Sequence, residues 1–522
     1  MSLEARPLPA GPAVSAAALT GARYGAIEDA QRLYLHVRGF LEGAVSFPPG
    51  LDPAHSVAEI CEGLALFASM RSLGFYADPL IERRLREHAL PSPPWASRTP
   101  ADPPRRVLHY VTESMPTGGH SRVLSNWIAR DGGRRHAVLF RNRSPLPSNL
   151  GAAEVAFMSP EEALNLPLAA KRLQTAATDH DVVVLHANPF DSLPLLAFAA
   201  GSPCPVLLMN HADHTFWIGA NCADAIACFG PVGRHVTVTR RGTPAERTAL
   251  LPLPIPFPRH DPEAKEALRR KLGLQGYDRV MLTVGAAWKY AWPDQAFFRR
   301  LAEHLADRPN VVLVVVGAAP PKEVANARGL RFVAAADPIE DYYLAADLFV
   351  DSFPTASGLA AIDAFVHGLP VVSTGLSLAI PGLLLFTLPG FPRALYHQES
   401  ARGFFNLVDD LLFKPEVRTK YLARMEQAFA SAYGEDWRTG GAWPQHLNAA
   451  YALAARNWRQ RERWQGSLTD DMRLHIEVTP TNAVFDLQLR LARVAAERVA
   501  MSSELADVVV EAARRRTAGG RT

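Results

Sequence analysis

The chain reads as two successive α/β domains set between helical regions. Three observations carry this reading. Short apolar runs alternate with helical stretches in two series, one from Val107 to Phe229 and one from Val280 to Phe386. A stiff proline-rich connection, Leu253-Pro254-Ile255-Pro256-Phe257-Pro258, separates the two series. At 522 residues the chain is too long for a single core.

Residues 1 to about 20 are rich in alanine and proline and are not expected to form a stable element. From Ile27 to Leu41, the residues Ala30, Leu33, Tyr34, Val37 and Leu41 recur at helical spacing. A second helix follows Asp52-Pro53, a cap residue with proline at the first helical position. Val57, Ile60, Leu64 and Phe67 lie on one of its faces. A third helix is expected from Leu80 to His88, and the prolines of 91–104 form a linker.

Strands are then expected at Val107 to Val111, His136 to Phe140, Val182 to His186, Val206 to Met209 and Ala225 to Phe229. Runs as uniformly apolar as Val182 to Leu185 suit a parallel sheet covered on both faces. The second series places strands at Val280 to Val284, Val311 to Val316, Arg331 to Ala334, Leu348 to Asp351, Val371 to Ser373 and Leu383 to Phe386. From about Arg418 the pattern is helical again, with Trp437, Trp443, Trp458 and Trp464 read as packing anchors. Ala483 to Arg516 keeps Leu487, Leu491, Val494, Leu505 and Val508 near helical spacing, as a docked helix or an interaction surface. The expected division is a helical region over 1–100, a first α/β domain over 105–255, a second over 256–435 and a helical region over 436–522.

Composition excludes several function classes. A net charge of +3, from 55 basic and 52 acidic residues, provides no dominant basic field for nucleic acid. Four scattered cysteines without a Cys-x-x-Cys pair fit buried thiols in a reducing compartment better than a disulfide frame or a zinc site. No run of about 18 apolar residues suggests a membrane span. Met1 to Pro12 lacks the basic and apolar regions of a secretory signal, so a cytoplasmic protein is expected.

Five segments carry chemistry. After the first strand, Gly118-Gly119-His120 opens a helix, a layout that lets backbone approach a phosphate and points His120 at the interdomain cleft. A tight turn with a capping histidine would use the same residues. After the strand ending at Met209 comes Asn210-His211-Ala212-Asp213-His214-Thr215-Phe216-Trp217. Its polar residues lie where open α/β sheets bind ligands. They are read as acceptor contacts (His211, Trp217) and general-base support (Asp213, His214), with a structural loop as the plain alternative. No metal is expected, because no further ligand cluster accompanies them. In the second series, Lys289 follows the first strand and is placed to neutralise a diphosphate leaving group, with a surface lysine as the plain alternative. Near Phe332 to Ala334, backbone groups are positioned to read a nucleobase, with Asp337 and Glu340 to Tyr343 along the same edge. Finally, Ser357-Gly358-Leu359 starts a helix whose N–H groups suit phosphate, and Asp363 follows within reach of a ribose, although an ordinary strand-helix-strand unit would use the same residues.

Taken together and in this order, the Gly-Gly loop, the Lys289 loop and the Ser357-to-Asp363 helix resemble GT-B glycosyltransferases over residues 105–435. The second domain is similar both to the retaining GT4 group and to the inverting O-GlcNAc-transferase-like and HMW1C-like group. The GT4 pattern of two glutamates falls on Thr355 and Asp363, so its first carboxylate is missing. The His-Thr-Thr of the O-GlcNAc transferases falls on Gly358-Leu359-Ala360, and Asp363 matches their ribose-binding aspartate. The resemblance implies a GT-B fold and a nucleotide-sugar donor on the second domain. It also implies transfer to an acceptor entering from the first domain, without a metal or other cofactor. His120 is then the first candidate base. The terminal helical regions suggest recognition or assembly, including an oligomer. The acceptor is expected to be a protein, such as a surface or flagellar protein, or a lipid-linked or polysaccharide glycan. A sugar-nucleotide 2-epimerase and a non-catalytic nucleotide-sugar-binding scaffold stand as alternatives.

Overall fold

The computed structural model describes residues 16–43, 47, 50–71, 73–91, 101, 103–114, 119–147, 149–213, 215–254, 262–290, 296–334, 338–352, 357–372, 401–433 and 442–461. The expectations for Gly118, His214, Asp337, Thr355, Leu383 to Phe386, Trp437, Trp464 and Ala483 to Arg516 lie outside the described residues.

The first α/β unit is a seven-stranded parallel sheet of order β3-β2-β1-β4-β5-β6-β7. Its strands are β1 (Arg106–Val111), β2 (Arg135–Phe140), β3 (Glu154–Phe157), β4 (Val182–His186), β5 (Val206–Asn210), β6 (Ala225–Cys228) and β7 (Thr248–Leu250). The second unit is a five-stranded parallel sheet of order β10-β9-β8-β11-β12. It contains β8 (Arg279–Val284), β9 (Val311–Val316), β10 (Leu330–Val333), β11 (Leu348–Val350) and β12 (Val371–Val372). The central strands β4 and β9 are buried throughout, as their unbroken valine and leucine runs require in a sheet covered on both faces. Sequence reading misses β3 and β7. The first has two exposed and two half-buried residues, and the second is only three residues long, so neither shows an apolar run.

The N-terminal helices Ala16–Gly39, Pro53–Arg71 and Pro79–Glu87 share one hydrophobic core with a face of the first sheet. Buried polar contacts reinforce this docking. Glu82 accepts the N–H groups of Gly219, Ala220 and Asn221 at 2.6, 3.1 and 3.0 Å. Arg141, after β2, reaches Glu62 and Asp191 at 2.8 Å each. Each carboxylate stays tolerable in the interior because donors surround it.

The helix Ala442–Arg459 returns to the first unit. Trp443 Nε1 donates to Pro252 O and Trp458 Nε1 to Ser202 O, both at 3.0 Å. Arg461 closes the end on the buried Asp224 at 2.7 Å. Trp443 and Trp458 thus anchor the helix to the first unit. Among the described residues no helix is long and apolar enough to cross a membrane.

Candidate functional site

In each sheet the chain order reverses once, between β1 and β4 in the first and between β8 and β11 in the second. Open parallel sheets bind ligands at such a reversal, because the two following connections diverge to opposite faces and leave a crevice at the strand ends. The segments picked out in the sequence lie there. The helix Gly119–Arg130 follows β1, and β4 ends on His186. Beyond β8 lies the turn Ala287–Tyr290 containing Lys289, and beyond β11 lies the helix Gly358–Val366.

On the second unit, Gly285, Lys289 and Ser357 converge. A side chain at Gly285 would meet Tyr290 Oη at 3.2 Å and both Lys289 Cδ and Ser357 Oγ at 3.3 Å. Ser357 caps its helix by position but not through its hydroxyl, which donates to Val284 O at 2.8 Å and meets Ser352 Oγ at 2.6 Å. Asp351 accepts the N–H groups of Ser352 and Ser357, each at 2.8 Å. The Ser357 hydroxyl is therefore committed to the loop. What this corner offers an anion is the first-turn backbone of Gly358–Val366 and the Lys289 ammonium. Burial pulls the Lys289 pKa below its ordinary value, while Asp351 acts in the opposite sense.

Asp363 is buried and paired across the cleft. Arg122, on the helix after β1, donates to Asp363 Oδ2 and reaches Glu340 Oε1 at 3.0 Å. Burial raises the Asp363 pKa to about 6, with Arg122 pulling against it. A small pocket at this contact is lined by Arg122, Val123, Asn126, Leu253, Leu359 and Asp363. Gly119 is what allows the approach. A Cβ there would lie 2.2 Å from Leu359 Cδ1.

On the first unit, His120 stacks on His211 with ring centroids 4.2 Å apart and an interplanar angle of 15°. His186 lies beside His120 at 5.8 Å. Burial, reinforced by His211 and His186, holds the His120 pKa well below its ordinary value, so the ring is neutral near pH 7. A neutral imidazole can accept a proton. The other two residues of this loop sit deeper. Trp217 is in the core, with the Arg241 guanidinium over its ring at 4.3 Å. The Asp213 carboxylate lies against Gly233, where a Cβ would come within 2.4 Å of Oδ2. Among the described residues no group of three or more His, Cys, Asp or Glu side chains is arranged to hold a metal ion.

Sequence reading did not single out Arg122, His186 or Asp351. Arg122 sits one turn into an otherwise ordinary helix, and only the tertiary fold brings Asp363 to it. His186 carried a usable signal, as a histidine at the C-terminal end of an apolar strand.

Residues 278–412 match the family model described as glycosyl transferases group 1. The matched segment contains Lys289, Ser357 and Asp363 and leaves the first unit outside the match. No curated protein sequence matches the chain. Among solved structures, HepE of Anabaena in complex with UDP and glucose is 16% identical over 66% of this chain and 98% of its own, with a TM-score of 0.47. WaaG, a glycosyltransferase involved in lipopolysaccharide biosynthesis, is 16% identical over 66% of this chain and 99% of its own, with a TM-score of 0.45. An O-GlcNAc transferase mutant of Thermobaculum terrenum is 15% identical over 78% of each chain, with a TM-score of 0.44. Two parallel α/β units meeting at a cleft make the GT-B arrangement that the resemblance implied.

Proposed function

We propose that the protein transfers a glycosyl group from a nucleoside-diphosphate sugar to an acceptor hydroxyl in the cleft between its two units. The observation that carries this reading is the meeting of Lys289 with the start of the Gly358–Val366 helix, which also carries Asp363, at the reversal point of the second sheet, within the segment that matches the group 1 family. A cation beside a helix N-terminus is suited to a departing diphosphate. Asp363 is then the ribose contact, which requires Arg122 to share or release its carboxylate. His120 and His211 face the acceptor side. Lys289 and the helix start take the role a divalent cation plays elsewhere, so turnover should persist in EDTA. Chelator-dependent loss restored by Mn²⁺ or Mg²⁺ would sink that part.

The acceptor is a protein hydroxyl in this reading, and the N-terminal helices docked on the first unit serve to recognise it. The reaction is placed in the cytoplasm, a setting that suits four buried free thiols. Thermal-shift screening with UDP-, GDP- and dTDP-sugars is the first test, since a bound donor raises apparent stability by mass action. Calorimetry on Asp363→Ala follows. Loss of charge-assisted bonds worth about 1.5–3 kcal/mol each should weaken the cognate nucleotide roughly 10- to 150-fold. Equal affinities in two folded proteins would remove Asp363 from the site. Donor epimerised without any acceptor would identify an epimerase instead.

A further inference from the structure

Behind the cleft, three histidines cross the first sheet in a hydrogen-bonded line. His186 Nε2 lies 3.0 Å from His109 Nδ1, and His109 Nε2 lies 3.0 Å from His136 Nδ1. His136 Nε2 lies 3.0 Å from Asp131 O and 3.7 Å from Asp131 Oδ2. The line follows adjacent strands, since β4, β1 and β2 are neighbours and these residues point to one face. His109 and His186 are fully buried, and His136 is nearly so.

The far end fixes every proton in the line. A carbonyl and a carboxylate can only accept, so His136 Nε2 carries hydrogen. If His136 is neutral, its Nδ1 accepts, and His109 Nε2 must donate to it. His109 Nδ1 then accepts from His186 Nε2. This leaves a lone pair on His186 Nδ1, a buried atom with no hydrogen-bond partner. On the neighbouring ring, His120 Nε2 is also buried without a hydrogen-bond partner. Two such nitrogens on adjacent rings call for a ligand hydroxyl or water at the cleft end of the line.

We propose that His186, His109 and His136 form a proton relay that carries a proton accepted at His186 Nδ1 from a hydroxyl group in the cleft to His136, beside Asp131. The transfer balances. As Nδ1 of His186 gains a proton, its Nε2 proton passes to His109 Nδ1. The His109 Nε2 proton passes to His136 Nδ1. His186 and His109 end neutral with their protons exchanged, and His136 ends as an imidazolium. The charge is stored where a carboxylate faces it, away from the cleft, where burial and His211 would oppose it. Arg134 also binds Asp131, and Tyr451 Oη lies 3.5 Å from its carboxylate, so the store is a polar cluster. His180 is the further titratable group near His109.

The experiment is ¹⁵N NMR on the full chain labelled at histidine, with signals assigned through single His→Gln variants. Near neutral pH all three rings should be neutral with hydrogen on Nε2. On acidification His136 should become doubly protonated while His186 and His109 change to the Nδ1–H form without charging. An imidazolium on His186, or a His186 that keeps its Nε2–H form to the acid limit of the fold, would overturn the relay. Asp131→Asn keeps the backbone carbonyl, so it should preserve the neutral tautomers yet move the charging of His136 to lower pH. A purely structural Asp131 would leave that charging unmoved. The inference rests on the proposed transfer reaction only for the identity of the hydroxyl group. The NMR signals need neither donor nor acceptor, so failure of the transfer reading and failure of the relay are separately visible.

Discussion

Arg122 and Asp363 form an ion pair across the cleft, joining the helix after β1 in the first unit to the helix after β11 in the second. They are separated by 241 positions in sequence. The Asp363 side chain is 5% exposed and that of Arg122 25%, so the pair is buried on one side and opens to the cleft on the other.

Arg122→Ala should therefore destabilise the protein by about 3 kcal/mol, the low end of the range for stranding a buried charge, because Arg122 is only partly desolvated. Urea unfolding of variant and parent measures it. A change within 0.5 kcal/mol would show that solvent screens the pair as it does surface pairs.

The Asp363 carboxyl titrates near pH 6 in the folded protein, above the ordinary aspartate value near 3.9. With the folded value raised, the folded state holds the proton more tightly. The contribution to stability is full below about pH 4 and is lost as pH rises through about 6. Asp363→Asn cannot ionise, so its melting temperature relative to the parent should be higher at pH 7.5 than at pH 4.5. A constant difference across that window would mean that Asp363 ionises as it does in the unfolded chain.

Lys289→Ala should reduce donor turnover on the order of 10²-fold by removing a preorganised charge from the leaving-group corner. Initial rates with the donor found by screening give the number. Full activity in the folded variant would place the lysine outside the site.

Gly119→Ala puts a methyl group where Leu359 now packs, at an unrelaxed distance of 2.2 Å. The variant should lose stability by roughly 1–3 kcal/mol, as overpacking does, and lose activity with it. Adding Leu359→Ala should recover part of both. A double-mutant cycle with coupling below about 0.5 kcal/mol would show that the leucine swings aside without cost.

The sequence by itself determined the two α/β series, their strand segments and the loops that carry Lys289, Ser357 and Asp363. These features are local. A parallel strand buried on both faces must be apolar along its length, as β4 and β9 are, and a helix start after a strand shows in its small residues. The edge strands β3 and β7 escaped because exposure or brevity removes that signal. Tertiary structure alone decided which side chains meet. Asp363 looked like a ribose contact, yet its present partner is Arg122. The helix start at Ser357 suited phosphate through its N–H groups, and only the fold ties the Ser357 hydroxyl to Val284 O. Trp217 looked like an acceptor contact, yet it lies under Arg241 in the core. His109, His136 and His186 are scattered along the chain, and only the strand order β2-β1-β4 puts them in line. Spacing along one element is written in the sequence, whereas strand order and helix docking depend on how distant apolar faces find one another.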